Sequence, residues 1–80
     1  MKIYAGNLSY DTTDNDLRQA FEAFGGVTSV RIIKEMFTGR SKGFGFIYMP
    51  NNHQANHAMI GLNGKELQGK TIRVDKAANK

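Results

Sequence analysis

Hydrophobic and polar residues alternate over four short stretches of this chain and recur at helical spacing over two others. Lys2 to Leu8 alternates and predicts a first strand, with Ile3 and Ala5 facing inward and Tyr4 outward. Val27 to Lys34 predicts a second, with Val30 and Ile32 on one face and Arg31 and Ile33 on the other. Lys42 to Met49 predicts a third, stopped by Pro50, which has no N–H for a ladder. Thr71 to Asp75 predicts the last, with Ile72 and Val74 inward and Arg73 outward. Leu17, Ala20, Phe21 and Phe24 form one helical stripe, and Ala55, Ala58, Met59 and Leu62 form another. Thr13 with Asp16 fits a capping box for the first helix, a short acid standing where Glu is preferred. Gly25-Gly26 should end that helix in a left-handed cap. Asn51 or Asn52 can open the second helix, and Asn63-Gly64 closes it. Glu35 to Ser41 reads as a polar loop and Lys65 to Gly69 as a turn in which Leu67 packs inward. Ala77 to Lys80 is expected to fray.

The order is β-α-β-β-α-β. Two helices can cover one face of a four-stranded sheet, so the split βαβ arrangement leaves the other face open. The expected fold is therefore α+β: a ferredoxin-like βαββαβ sandwich, a four-stranded antiparallel sheet with two helices on one face. Eighty residues make a single domain, 1–80, with its core in about 2–77. The core is modest, because a chain of this size hides only roughly 60% of its unfolded surface.

The third strand changes the picture. Alternation puts Phe44, Phe46 and Tyr48 on one face together with the cation of Lys42, and Gly43, Gly45, Ile47 and Met49 on the other. Small and aliphatic residues point toward a core while flat rings point away from it. Rings beside a positive charge suit a ligand with flat bases and an anionic backbone, as single-stranded nucleic acid has. The charges agree. The net charge is +4, with Asp11, Asp14, Asp16 and Glu22 near the first helix, Arg31, Lys34, Arg40 and Lys42 leading into the aromatic strand, and Lys76 and Lys80 at the end of the sequence. Such segregation predicts one positive surface.

Lys42-Gly43-Phe44-Gly45-Phe46-Ile47-Tyr48-Met49 resembles the octamer signature of the RNA-recognition motif family, with Ile47 for Val and Met49 for the final aromatic. Ile3-Tyr4-Ala5-Gly6-Asn7-Leu8 is similar to the family's hexamer, with Ala5 smaller than the usual branched residue. The resemblance runs from about Lys2 to Ala77. The chain is similar to short bacterial single-domain RNA-binding proteins and to the RNA-binding domain of plant glycine-rich RNA-binding proteins. It implies that Tyr4 and Phe46 each stack on a base, that Phe44 packs against sugars and that Lys42 pairs with a phosphate. Asn7 of the hexamer is carried with them as an RNA-binding residue. Alternation adds Tyr48. Arg31, Arg73 and Lys76 are expected to add phosphate or base contacts from flanking strands. Post-transcriptional regulation or RNA chaperoning follows by family analogy alone.

Other signals weigh less. Gly64 to Thr71 matches the phosphate-loop pattern G-x-x-x-x-G-K-[ST], but a helix precedes it and a strand follows, the reverse of what phosphate cradling needs. His53 and His57 are four apart on a helix with no third ligand, so no metal is expected. Asn7-Leu8-Ser9 is a glycosylation sequon without a secretory signal beside it. Cysteine is absent, and no nucleophile–base set or carboxylate pair is apparent, so neither an enzyme nor a cofactor is expected. The expected partner is single-stranded RNA, with single-stranded DNA as a second candidate. The chain is expected to act as a cytoplasmic monomer away from membranes. The competing reading is a protein-interaction module on the same fold, hinted at by Ile60 outside the helical stripe.

Overall fold

The alternation of the first stretch is realised as strand β1, Lys2–Gly6, in the computed structural model, which describes residues 1–77. A loop leads to helix α1, Asp14–Glu22. Thr13 caps it reciprocally: the Asp16 N–H donates to the Thr13 hydroxyl at 3.1 Å, and the Thr13 N–H donates to the Asp16 carboxylate at 3.0 Å. The short acid therefore closes the box as well as the longer one does. α1 ends otherwise than its glycines suggest. Its C-cap, Ala23, stays in the right-handed region, and the Phe24 and Gly25 N–H groups bond back to the Phe21 and Glu22 carbonyls. This tightened last turn satisfies two carbonyls, and the chain leaves it at Gly25, whose φ of 154° is one that favours glycine.

Strand β2 spans Ser29–Lys34, shorter than expected because Val27 packs on the core without joining the ladder. Strand β3 spans Ser41–Tyr48. Helix α2, Asn52–Leu62, opens at Asn51, whose side chain accepts the Gln54 N–H at 2.9 Å. The region read as a turn contains a further hairpin. β4, Glu66–Leu67, pairs with β5, Lys70–Thr71, through Gln68 and Gly69, both at positive φ (51° and 84°). Two such residues in succession make the mirror-image turn that suits a two-residue hairpin. Strand β6, Arg73–Lys76, completes the set. Ala77, expected to fray, is buried, and its N–H donates to the Lys2 carbonyl at 3.0 Å. The rest of that predicted frayed tail, 78–80, lies outside the described residues.

The main sheet runs β2-β3-β1-β6, antiparallel throughout. Its inner face supplies Ile3, Ala5, Ile32, Ile47 and Val74 to a core completed by Ile72 just before β6, Leu17 and Phe21 of α1 and Ala55 and Ala58 of α2. Each large member stabilises the fold by roughly 1.5–3 kcal/mol. Met49 faces this core, as alternation predicts. The fold is ferredoxin-like, with both helices on one side. Each edge strand has one N–H occupied by a helix terminus: Asp14 accepts from Ile32 on β2 at 3.1 Å, and Asn63 accepts from Val74 on β6 at 2.9 Å. The phosphate-loop look-alike forms the β4–β5 hairpin and has no helix after it. Among the described residues no helix is long and apolar enough to cross a membrane.

Candidate nucleic-acid interface

Tyr4, Phe44 and Phe46 meet on the face that no helix covers. Tyr4 on β1 lies opposite Phe46 on β3. The three ring centroids form a near-equilateral triangle: Tyr4–Phe44 6.0 Å, Tyr4–Phe46 6.1 Å and Phe44–Phe46 6.2 Å. Phe44 stands nearly perpendicular to Phe46, at 86°, and is tilted by 31° from Tyr4. Two edge-to-face contacts and one tilted contact at this spacing hold the rings in place and leave each half-buried. Their sequence neighbours Ile3, Ala5, Gly45 and Ile47 are fully buried on the other side. Gly6 helps to seat Tyr4. A Cβ there would fall 2.6–2.7 Å from the Tyr4 ring carbons, so the ring leans along its strand over a residue without a side chain.

Tyr48 continues the row and is half-exposed, between Lys2 of β1 and Ser29 of β2. A hollow of about 310 Å³ opens here, lined by Lys2, Arg31, Ile33, Phe46 and Tyr48 among others. Arg31 lies opposite Phe46 and stands exposed on the ring face. On the far side of Tyr4, Arg73 lines a second hollow with Tyr4 and Asp75.

The other predicted residues are placed differently. β3 spends Lys42, Gly43 and Phe44 opposite the single residue Ile33, because the register shifts between Ile32–Gly45 and Lys34–Ser41. Gly43 takes φ +83° in this bulge. Lys42 is exposed at this irregularity, in the same phase of the burial alternation as Phe44 and Phe46. The cation that touches a ring is Lys2, whose ammonium sits 4.5 Å from the Phe46 centroid. Nothing in the alternation singled it out, although its place opposite Tyr48 follows once the β1–β3 register is known. Lys76 pairs with buried Ile3 and lines a hollow at the sheet's end with Met1, Lys2 and Tyr48, apart from the ring triangle. Asn7 is at φ 55°, and its amide donates to the Thr71 carbonyl at 2.7 Å, tying the end of β1 to the start of the last strands.

The His53 and His57 rings lie 4.5 Å apart and exposed, and among the described residues no three His, Asp or Glu side chains gather as a metal site. The only ion pair among the described residues is Arg18–Glu22 on α1, at 3.6 Å. The cations around the rings are thus not neutralised by carboxylates.

Comparisons with known proteins show the family and the fold. Residues 3–73 match the model of the RNA recognition motif. The chain is 44% identical over 79 residues to the mitochondrial glycine-rich RNA-binding protein 4 of Arabidopsis thaliana, covering 99% of this chain and 58% of that protein. It is 42% identical over 77 residues to the putative RNA-binding protein RbpE of a Nostoc species, covering 96% and 78%. The crystal structure of RNA binding protein PG1 superposes with a TM-score of 0.96 at 40% identity, covering 100% of this chain and 96% of that one. The chain spans about half the length of several curated relatives that it matches.

Proposed function

This chain belongs to the RNA recognition motif family, and from that premise we propose that it binds single-stranded RNA on the open face of its sheet. The observation that carries the reading is the triangle of rings on the helix-free face with unpaired cations around it. Tyr4 and Phe46 each take a base, and Phe44 packs between the sugars of the two. Tyr48, Arg31 and Lys2 receive the next nucleotide in their hollow. Arg73 meets the strand beyond Tyr4, and Lys42 meets a phosphate from the bulge. Lys76 acts at the sheet's end. Asn7 acts by fixing the loop beside Tyr4 through its bond to Thr71, with its amide oxygen left for the ligand.

Stacking does not read the 2′-hydroxyl, so single-stranded DNA is a second ligand for the same rings. The protein works as a non-catalytic monomer, and holding strands single is the basis of a role in RNA regulation or remodelling. A cytoplasmic address belongs to the same reading and is checked by fractionation. Ile60 stands alone as an exposed apolar residue on α2 and makes no patch, so a protein-docking reading gains nothing from it.

The test is a Phe44→Ala/Phe46→Ala variant with an unchanged circular-dichroism spectrum. Affinity for single-stranded RNA should fall at least about 5-fold, since the base stacked on Phe46 alone contributes roughly 1–3 kcal/mol. Wild-type affinity in that variant would overturn the proposal.

A further inference from the structure

The step from Asn63 to Gly64 closes α2, and it is the sequence's one Asn-Gly pair. Asparagine followed by glycine has a reaction of its own. The Gly64 backbone nitrogen can attack the Asn63 side-chain carbonyl carbon, because Gly64 has no Cβ to obstruct the approach. The new N–Cγ bond closes an imide, the Cγ–Nδ2 bond breaks, and ammonia leaves with the proton of the Gly64 N–H. Water then opens the imide at one of its two carbonyls. Opening at Cγ gives aspartate, and opening at the backbone carbonyl gives isoaspartate. Either product has a carboxylate where the chain had a neutral amide.

The fold keeps the two reacting groups apart. Imide closure needs the Asn63 Cα–Cβ bond eclipsed with the C–N bond to Gly64, and at ψ 125° the two are far from eclipsed. The nitrogen that would attack is engaged, since the Gly64 N–H donates to the Ile72 carbonyl at 2.9 Å. The amide under attack is engaged as well, its oxygen accepting the Val74 N–H at 2.9 Å. The Asn63 N–H donates to the Met59 carbonyl at 3.1 Å and fixes the residue to the end of α2. Asn63 is otherwise exposed, so water reaches it freely. What stands against the reaction is this set of bonds, and it is lost whenever the corner opens.

A carboxylate here lands in a sensitive place. Asn63 lines a hollow of about 270 Å³ with Tyr4, Arg73 and Asp75. One cation and one carboxylate balance there, and Asp75 is turned onto the Lys76 N–H at 2.8 Å. A second carboxylate makes the hollow net negative, which repels a phosphate and competes for Arg73.

We propose that Asn63-Gly64 is a deamidation site that the folded domain keeps closed, and that its product turns down RNA binding through Arg73. The second half rests on the ring-face reading, and the first half does not. A domain that has opened and reclosed thereby carries a permanent charge as the record of it.

The experiment incubates the protein at 37 °C and mildly alkaline pH, folded or in concentrated urea, and follows aspartate and isoaspartate at each asparagine by peptide mass spectrometry. In urea Asn63 should be modified first, and in the folded protein at least about tenfold more slowly, since three hydrogen bonds must open. Equal rates, or another asparagine reacting first in urea, overturn the site. For the consequence, Asn63→Asp is titrated with single-stranded RNA. At about 0.1 M salt its affinity should fall about 5-fold and its log–log salt slope should lose about 0.7, the share of one phosphate contact. In an Arg73→Gln background the same change should cost clearly less. Wild-type affinity and slope in Asn63→Asp, or an undiminished loss without Arg73, overturn the route through Arg73. Full RNA binding by Phe44→Ala/Phe46→Ala sinks the ring-face reading instead and leaves the urea comparison standing.

Discussion

Gly6 and Gly45 lie in adjacent strands and do opposite jobs. The three atoms nearest a Cβ on Gly6 all belong to the end of the Tyr4 side chain, which can swing away. Gly6→Ala should therefore leave the melting temperature nearly unchanged and weaken RNA binding by up to the roughly 1–3 kcal/mol of one stacked base. Titration and a thermal melt of the same sample check this. A Cβ on Gly45 would lie 2.6 Å from the Arg31 carbonyl oxygen and 2.9 Å from the Ile32 Cα, which are backbone and cannot step aside. Gly45→Ala should destabilise the fold by about 1–3 kcal/mol, lowering the melting temperature by at least about 4 °C. Sequence alone showed both residues as gaps in a pattern but not what fills the gaps. That depends on how close β2 passes β3 and on how the Tyr4 ring tilts, neither of which is local. The same limit applied to Lys42. Alternation placed it with the rings but did not show the register shift at Gly43 beside it.

At the scale of elements, the start of α1 is bound to the β4–β5 hairpin by a chain of side chains. The Thr12 hydroxyl donates to the Gln68 amide oxygen at 2.7 Å, and the Gln68 amide nitrogen donates to the Asp16 carboxylate at 2.9 Å. The Thr13 N–H, then the Gln68 amide and the Thr13 hydroxyl, hold the Asp16 carboxyl below the usual range for an aspartate. A carboxyl lowered by folding adds stability above its unfolded value, near pH 4, and that stability is lost as pH falls through the still lower folded value. Urea unfolding at pH 7 and near pH 2.5 should show this acid loss, and it should be smaller in Gln68→Ala. An equal acid loss in that variant would remove the amide from the account. Thr13→Ala should cost about 1 kcal/mol of stability, the usual contribution of an N-cap, measured by the same unfolding. The capping box was legible because its partners are three residues apart. The hairpin was not, because Gln68-Gly69 lacks the Asn-Gly or Asp-Gly signature and each of its strands is two residues long.

At the scale of the molecule, the fold could be read because the central inward positions of the four strands, Ile3, Ala5, Ile32, Ile47 and Val74, are apolar or small and the two stripes sit on separate helices. The side of the sheet left open followed from counting helices. Which cations gather there did not follow, since that needs strand order, and β1 lies between β3 and β6 only after folding. The outer N–H groups taken by Asp14 and Asn63 leave each edge less able to recruit another strand. If three or four of Lys2, Arg31, Lys42 and Arg73 meet phosphates, the plot of log affinity against log salt should have a slope of about −2 to −3. A slope near zero, read from titrations between low and moderate salt, would remove phosphate contacts from the mechanism.

The ammonium of Lys2 over Phe46 means that this ring does not wait bare for its ligand. An incoming base displaces a tethered tenant rather than loose water, giving up about 0.5–1 kcal/mol of exposed cation–π attraction. The evicted charge stays within a side chain's length of the arriving strand, where the next phosphate can engage it. A neutral flat solute would meet the same toll with no phosphate to offset it. A single lysine thus biases the platform toward polyanions and against free aromatics before any base is read.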